Sequence, residues 1–496
     1  MFTKLYDYQK AILNITSNND KGIICLPTGT GKTYCQASII ANDIINNRCF
    51  NIYVVNAPRI LLSYQLLKEV YSFLTKLNIE CRYMFVHSGG TLDEKELEDI
   101  RITTDIPYSQ ILNTTNTEVI KTFINTSKTQ NLPLVLFSTY NSANKIEDAR
   151  QDEKIKIVLN DEAHYLVQEQ FHNILTELKS DKCFFFTATT IYTPSDKGRG
   201  MNNSDSYGEV LYEMTPRQAI DKGKMVRPRI HILTTEGVYD SDDFKKSLNK
   251  IIYEAFIQHK RVIKQKPKLL ISVKGSMDIK QFFSSPQYKE LRKYGVNIYA
   301  ISSNEIIGND INSVKVSRQS FLKHLKEIGE NPNEELICLH YDILSEGIDI
   351  SGFTGMLPLR TLKKIKFLQT YGRCARLDKL DKLLLENNIV NPNDLTKLNK
   401  PYAYIIIPNV IQSNNDDKTN LTTLIYEMRN YDFKLYEEII SVNYINGIPE
   451  IEQLKGLNDI IQRFPNIGNL IDNIESEIEV EENAKLNRFD FLNKFF

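Results

Sequence analysis

The stretch Leu26-Pro27-Thr28-Gly29-Thr30-Gly31-Lys32-Thr33 constrains this chain most, because it dictates what must stand on either side of it. Gly22-Ile23-Ile24-Cys25 ahead of it is a short apolar run suited to a buried parallel strand, and Tyr34 to Ile45 behind it is long enough for a helix. Strand, glycine loop, then helix is the context of a phosphate loop. Gly29 and Gly31 let the backbone turn its N–H groups toward phosphates, Lys32 reaches β and γ oxygens, and the Thr33 hydroxyl is suited to ligate Mg²⁺. The strict pattern G-x-x-x-x-G-K-[ST] fails at one position, where Leu26 replaces the first glycine.

A second signal is Ile157-Val158-Leu159-Asn160-Asp161-Glu162-Ala163-His164, an apolar strand that delivers two adjacent carboxylates and a histidine at its C-terminal edge. Asp161 is placed to hold Mg²⁺, and Glu162 to orient and deprotonate an attacking water. Between these two signals the same unit recurs. Asn51 to Val55 reads as a strand that ends in Ala57-Pro58-Arg59, and Leu134 to Phe137 as one that ends in Ser138-Thr139-Tyr140. Small hydroxyls at a strand end contact sugar-phosphate or cap a helix, and both readings stay open here. Cys183-Phe184-Phe185-Phe186 ends likewise, in Thr187-Ala188-Thr189. Ahead of them all, Gln9 precedes a helical pattern. Its amide suits adenine N6 and N7, or a surface helix start.

Residues 1–225 therefore alternate strand and helix, with the chemical residues at strand C-termini, as in an open parallel sheet whose ligands sit at that edge. The charged, proline-containing stretch from Asp221 to Arg229 breaks this pattern, and residues 226–245 read as a linker between lobes. A second alternating block spans 246–410, with strands at Lys268 to Val273, Val296 to Ala300, Glu335 to Leu339, Met356 to Leu359 and Tyr402 to Ile407. Two of its segments carry polar residues at telling spacing, Ser345-Glu346-Gly347-Ile348-Asp349 and Gln369 to Arg376. On one helix Gln369, Arg373 and Arg376 share a face and can converge on one ligand. Residues 411–496 are helical in pattern and turn acidic near Glu475 to Glu482.

Composition adds exclusions. With 496 residues the chain has room for several domains, and no uninterrupted apolar run or N-terminal leader points to a membrane, so an intracellular protein is expected. Seven scattered cysteines without C-x-x-C spacing argue against a disulfide framework and a zinc site. A net charge of -1 gives no global attraction for nucleic acid, so such binding needs a locally basic cleft. Abundant Asn, Ile, Lys and Tyr beside no Trp is the bias of an AT-rich genome, as in some large DNA viruses, where a virus factory or virion would be the site of action.

Taken together these motifs resemble the superfamily 2 helicases and translocases of DEAH type, in the group of restriction-enzyme translocating subunits, XPB-like helicases and helicases of large DNA viruses. The resemblance runs from Leu5 to about Leu377 and follows the family's motif order. It implies two tandem RecA-like parallel-sheet α/β lobes with a helical C-terminal extension, and ATP with Mg²⁺ as cofactors. Gln9 resembles the adenine-reading glutamine, and Leu26 to Thr33 resembles motif I, whose first glycine this superfamily often lacks. Pro58 and Arg59 resemble motif Ia, while Thr139 and Tyr140 resemble a further strand-contacting motif. Asp161 to His164 looks like motif II, and Thr187 to Thr189 like motif III, so His164, Thr187 and Thr189 would couple nucleotide state to nucleic-acid grip. Gly347 and Asp349 fall in a motif V and Ser345 beside it, the last a nucleic-acid contact. Gln369 to Arg376 resembles motif VI, Q-R-x-G-R-x-G-R, with departures at Thr370 and Ala375. By the same resemblance Arg376 is the arginine finger and Arg373 its neighbour. The implied function is ATP-driven movement along nucleic acid, DNA more than RNA, with strand separation. The alternatives are a remodeller that displaces proteins or releases transcripts, and a translocating subunit with a nuclease partner. The tail is the expected place for a protein partner.

Overall fold

The computed structural model describes residues 5–87, 111–193, 198–233, 241–301, 306–307, 318–341, 352–362, 364–408, 439–445, 448–453, 458 and 462. They fall in two compact units, Met1–Thr215 and Pro216–Phe496.

Each unit is built on one sheet. The first holds β1 (Lys21–Cys25), β2 (Ile52–Ala57), β3 (Arg82–Val86), β4 (Leu112–Asn113), β5 (Leu134–Thr139), β6 (Ile155–Asp161), β7 (Ser180–Thr187) and β8 (Val210–Glu213). Their spatial order is β4-β3-β5-β2-β6-β7-β1-β8, and all pairings are parallel. Parallel neighbours need crossovers, which helices such as α1 (Asp7–Ser17), α2 (Lys32–Asn47) and α3 (Ile60–Lys76) accompany. Inner strands are covered on both faces, so they read as apolar runs rather than alternations. Every residue of β2 and β5 is buried. Ile23, Val54, Leu136, Val158 and Phe185 pack in one core cluster.

The second sheet holds β9 (Arg227–Leu233), β10 (Lys268–Ser272), β11 (Asn297–Ile301), β12 (Ile306–Ile307), β13 (Leu336–His340), β14 (Gly355–Pro358), β15 (Tyr402–Pro408), β16 (Ile439–Ile445) and β17 (Ile448–Gln453). The order is β12-β11-β13-β10-β14-β15-β9-β16-β17, parallel except at the outer pairs β11/β12 and β16/β17. The helices that matter below are α4 (Ser241–Val262), α5 (Arg318–Glu330), α6 (Lys364–Cys374) and α7 (Lys379–Glu386). Two tandem RecA-like α/β lobes are thus the architecture.

Two sequence expectations change. Residues 227–233, read as part of a linker, are a strand paired with β15 and β16, since Ile230, Ile232 and Leu233 have an apolar environment to fill despite the charged start. The helical reading of 411–496 fails at 439–453, which form the hairpin β16/β17; the remainder of that segment lies outside the described residues, apart from isolated positions. Ile439 to Ile445 is rich in β-branched residues, and the register Ile445↔Ile448 leaves two residues, Asn446-Gly447, between the strands. That dipeptide is the strongest short hairpin signal.

Two buried histidines make the second unit acid-sensitive. His231 on β9 and His259 on α4 are both 0% exposed. Burial pushes His231 down to about 4, and burial together with His231 pushes His259 well below its ordinary value. The folded chain keeps both neutral, whereas an unfolded chain takes up protons below about pH 6.5. Their contribution is present above that pH and is lost as pH falls toward 4, by about 1.4 kcal/mol per pH unit per histidine. The melting temperature of the second unit is expected to drop between pH 6.5 and pH 5. His231→Leu should flatten that slope, and an unchanged slope would contradict the assignment.

Candidate active site

β7 lies between β1 and β6, so the segments that leave β1 and β6 both overhang its C-terminal end. The Leu26 N–H donates to the Thr187 carbonyl at 2.9 Å, which ties the phosphate loop to that end. Gly29 and Gly31 take φ of 85° and 82°, in the left-handed region, and Gly31 starts α2. A side chain at Gly31 would bring its Cβ to 2.8 Å from Gln9 Nε2. The loop is clamped from α1. The Tyr8 hydroxyl donates to the Thr30 carbonyl, and Gln9, 2% exposed, donates from Nε2 to the Gly31 carbonyl at 3.5 Å. Gln9 Oε1 in turn accepts from the Tyr6 N–H at 3.0 Å.

From this loop Lys32 reaches across β7 to Glu162, with Nζ 3.0 Å from Oε1 and the two side chains 10% and 15% exposed. Burial opposes the ammonium charge, but Glu162 and Asp161 outweigh it and hold Lys32 above its ordinary pKa. Asp161, 5% exposed, is pushed up to about 7 by burial and by Glu162, against the pull of Lys32 and Gln36. Gln36 Nε2 donates to Asp161 Oδ1 at 2.8 Å. Sequence reasoning missed Gln36. It stands one helical turn past Lys32 on α2, so i+4 spacing was the signal.

Glu162 itself has φ 50°, a left-handed conformation that a non-glycine residue holds at a cost of roughly 1–2 kcal/mol. Its Oε2 lies 3.4 Å from His164 Nδ1, which also faces Thr187 Oγ1 at 3.1 Å. The Thr187 hydroxyl donates to the Thr189 carbonyl at 2.8 Å and accepts from the Thr189 N–H at 3.1 Å. With its hydrogen so engaged, Thr187 accepts from His164, and Nδ1 is the nitrogen that carries hydrogen. His164, Thr187 and Thr189 are therefore brought together with Glu162. Asn160, polar inside the strand, is paired: its Oδ1 accepts from Asn56 Nδ2 at 3.0 Å.

Thr33 is half-buried at the start of α2 beside Lys32, Pro27 is buried and Thr28 half-buried. Two carboxylates face one lysine, and the loop offers two left-handed glycines, Gly29 and Gly31, with Gln9 Nε2 close against the second. Both features fit a triphosphate with a divalent cation held by Thr33 and Asp161.

The expected nucleic-acid contacts divide. Arg59 is exposed at the start of α3, and Pro58 before it is buried. Thr139 and Tyr140 are 4% and 1% exposed, which corrects their reading as surface contacts. Tyr140 instead donates its hydroxyl to the Asp161 carbonyl at 2.6 Å. Ser345, Gly347 and Asp349 lie outside the described residues. In the second unit α6 carries Gln369 and Arg373, but the helix ends at Cys374, so Arg376 follows in a bend rather than on the helical face. Among the described residues no helix is long and apolar enough to cross a membrane, and no group of three or more His, Cys, Asp or Glu could hold a metal ion.

Residues 2–191 match the family model described as type III restriction enzyme, res subunit. No curated protein matches the chain. Among solved structures it resembles the ATP-dependent type ISP restriction-modification enzyme LlaBIII bound to DNA, at 18% identity and a TM-score of 0.66, over 95% of this chain and 33% of that one. S. cerevisiae Dbp5 bound to RNA and ADP BeF3 matches at 12% identity and a TM-score of 0.51, over 95% of this chain and 94% of that one. The fragment structure of a putative HsdR subunit of a type I restriction enzyme from Vibrio vulnificus YJ016 matches at 14% and 0.51, over 89% and 69%. The chain thus spans about a third of the length of LlaBIII. These likenesses share the fold of tandem RecA-like parallel-sheet lobes. The family-model match falls within the first unit, so the likeness to a restriction-enzyme subunit is carried by that unit.

Tyr140→Phe would leave the Asp161 carbonyl buried without its donor, at a cost of about 1–3 kcal/mol. Thermal melting should show the first unit less stable by that margin, and an unchanged melt would mean the hydroxyl is not holding Asp161.

Proposed function

We propose that the chain couples ATP hydrolysis to movement along nucleic acid, DNA in preference to RNA, with Lys32, Thr33, Asp161 and Glu162 in the first unit and Arg373 and Arg376 in the second as the catalytic set. The observation that carries this is the buried cluster of Lys32, Glu162, Asp161 and Gln36 at the edge of one sheet. Without nucleotide, Lys32 neutralises Glu162. A γ-phosphate gives Lys32 a stronger anionic partner, which leaves Glu162 to orient and deprotonate the attacking water. Mg²⁺, held by Thr33 and Asp161, would neutralise developing charge on the phosphate oxygens. Gln9, which lies against the Gly31 carbonyl, would read adenine, and Gly347, Asp349 and Gln369 would complete the nucleotide contacts. Arg376 would stabilise the transition state as arginine finger, and His164, Thr187 and Thr189 would link hydrolysis to grip.

DNA is favoured because the DNA-bound LlaBIII superposes better, at a TM-score of 0.66 against 0.51 for the RNA-bound Dbp5 over the same share of this chain; Dbp5 keeps RNA in play. A second reading, a translocating subunit that works with a nuclease, is supported by the family model, which describes a restriction-enzyme subunit. Grip on a nucleic-acid strand near Arg59 and Ser345 would be directed at the backbone, hence salt-sensitive and weakly dependent on sequence.

Glu162→Gln is expected to retain ATP affinity and to lose about 10²-fold or more in turnover, as loss of a general base does. Near-wild-type turnover would refute the assignment. ATPase rates with single-stranded DNA, duplex DNA and RNA, each at two salt concentrations, then discriminate the nucleic acid. Strand displacement, protein displacement and DNA cleavage with added nuclease separate unwinding, remodelling and the nuclease-partnered reading.

A further inference from the structure

Arg376 stands in a bend two residues past the end of α6, where a helix leaves its last carbonyls without intrahelical donors. Two donors reach this bend from other parts of the second unit. The Val226 N–H, just ahead of β9, donates to the Ala375 carbonyl at 2.9 Å. Lys400, just ahead of β15 and 2% exposed, donates from Nζ to the Arg376 carbonyl at 2.7 Å.

Lys400 is itself held. Asp381 on α7, 0% exposed, accepts from the Lys400 N–H at 2.8 Å through Oδ2. Its Oδ1 accepts from the Asn399 N–H at 2.8 Å and from Asn399 Nδ2 at 3.1 Å. A buried ammonium fixed on a carbonyl just past a helix C-terminus is an expensive group to keep, and it lies near the negative end of the helix dipole. Lys268, also buried, does the same at the end of α5, donating to the Gly329 and Asn331 carbonyls at 2.8 and 2.7 Å. That second lysine serves a helix end with no motif on it. Lys400 serves the one that carries the arginine pair.

We propose that Lys400 is a positioning residue for Arg376: its ammonium fixes the peptide of the arginine finger, and Asp381 and Asn399 fix Lys400. The assignment rests on the reading of Arg376 as the finger. A long side chain swings with its own peptide, so a tilt of the Arg376 backbone would displace the guanidinium from the γ-phosphate without altering the groups that bind nucleotide in the first unit. The signature is therefore a fall in kcat with nucleotide affinity retained.

The test uses the full chain with three substitutions, Arg376→Ala, Lys400→Met and Lys400→Arg, each measured for ATPase kcat, KM and the Kd of a fluorescent ATP analogue. Arg376→Ala should lose about 10³-fold in kcat. Lys400→Met should lose tenfold or more in kcat with Kd unchanged within about threefold, and Lys400→Arg, which can still donate to the carbonyl, should recover most of the rate. If Lys400→Met does not fold, Lys400→Gln, which lacks the charge and the reach of the ammonium, replaces it and should fall below Lys400→Arg in kcat. A large loss in Arg376→Ala beside full kcat in Lys400→Met or Lys400→Gln would overturn the role of Lys400 alone. A loss that Lys400→Arg does not relieve, or one shared equally by Kd, would do the same. Full kcat in Arg376→Ala would overturn the finger reading beneath it.

Discussion

A lysine and a glutamate from segments on either side of one strand meet at 3.0 Å, and much of the first unit is arranged so that they can. A buried ion pair of this kind roughly breaks even against its desolvation, so Lys32 and Glu162 are weak contributors to stability. Other features point the same way. Glu162 holds a left-handed backbone, and Asp161 beside it is buried with a raised pKa. Strain and unbalanced charge persist in a fold only where the surroundings over-determine them. Here the surroundings are the Tyr140 hydroxyl on the Asp161 carbonyl, Gln36 on the Asp161 carboxylate, and α1 pressed on the loop through Tyr8 and Gln9.

Strand order does the positioning. Because β7 separates β1 from β6, Thr187 at its end touches both sides, taking the Leu26 N–H on its carbonyl and His164 on its hydroxyl. A shift of the segment after β7 therefore moves His164 relative to Glu162 and moves the root of the phosphate loop together. That is a short physical path, two contacts long, between the Thr187-Ala188-Thr189 stretch and Glu162.

In the second unit the departures from the motif VI pattern fall where the fold leaves no freedom. Thr370 and Ala375 are both 0% exposed, and the Thr370 hydroxyl donates to the Lys366 carbonyl one turn back at 2.7 Å. The arginine that the pattern has at 370 would need a buried counter-charge there, while Ala375 in place of glycine adds only a methyl group. Thr370 satisfies its own hydroxyl within the helix, and Ala375 leaves room for the Val226 strand lead to reach its carbonyl. Arg373 and Arg376 match the pattern, while the buried positions between and before them follow the packing.

What could be read from the sequence was whatever combined an apolar run with a chemical residue at its C-terminal end. β1, β2, β5, β6 and β7 all have that form, and so the first unit and its carboxylates were legible. β9 was not, because Arg227, Pro228 and Arg229 begin it with charge and a proline and its apolar residues come only after them; the stacking of Arg229 over the Tyr402 ring, 4.3 Å from its centre, is a tertiary solution that no periodicity shows. The hairpin β16/β17 was legible in principle through Asn446-Gly447 but was masked by acidic helical patterning around it. Tyr140 illustrates the remaining gap. A tyrosine after a strand that ends in Ser and Thr looks like a surface contact, and only the adjacency of β5, β2 and β6 shows that the side chain can run beneath the sheet edge to Asp161. Local pattern names the strands and their terminal residues; which terminal residues meet is decided by strand order, and strand order is a property of the whole sheet.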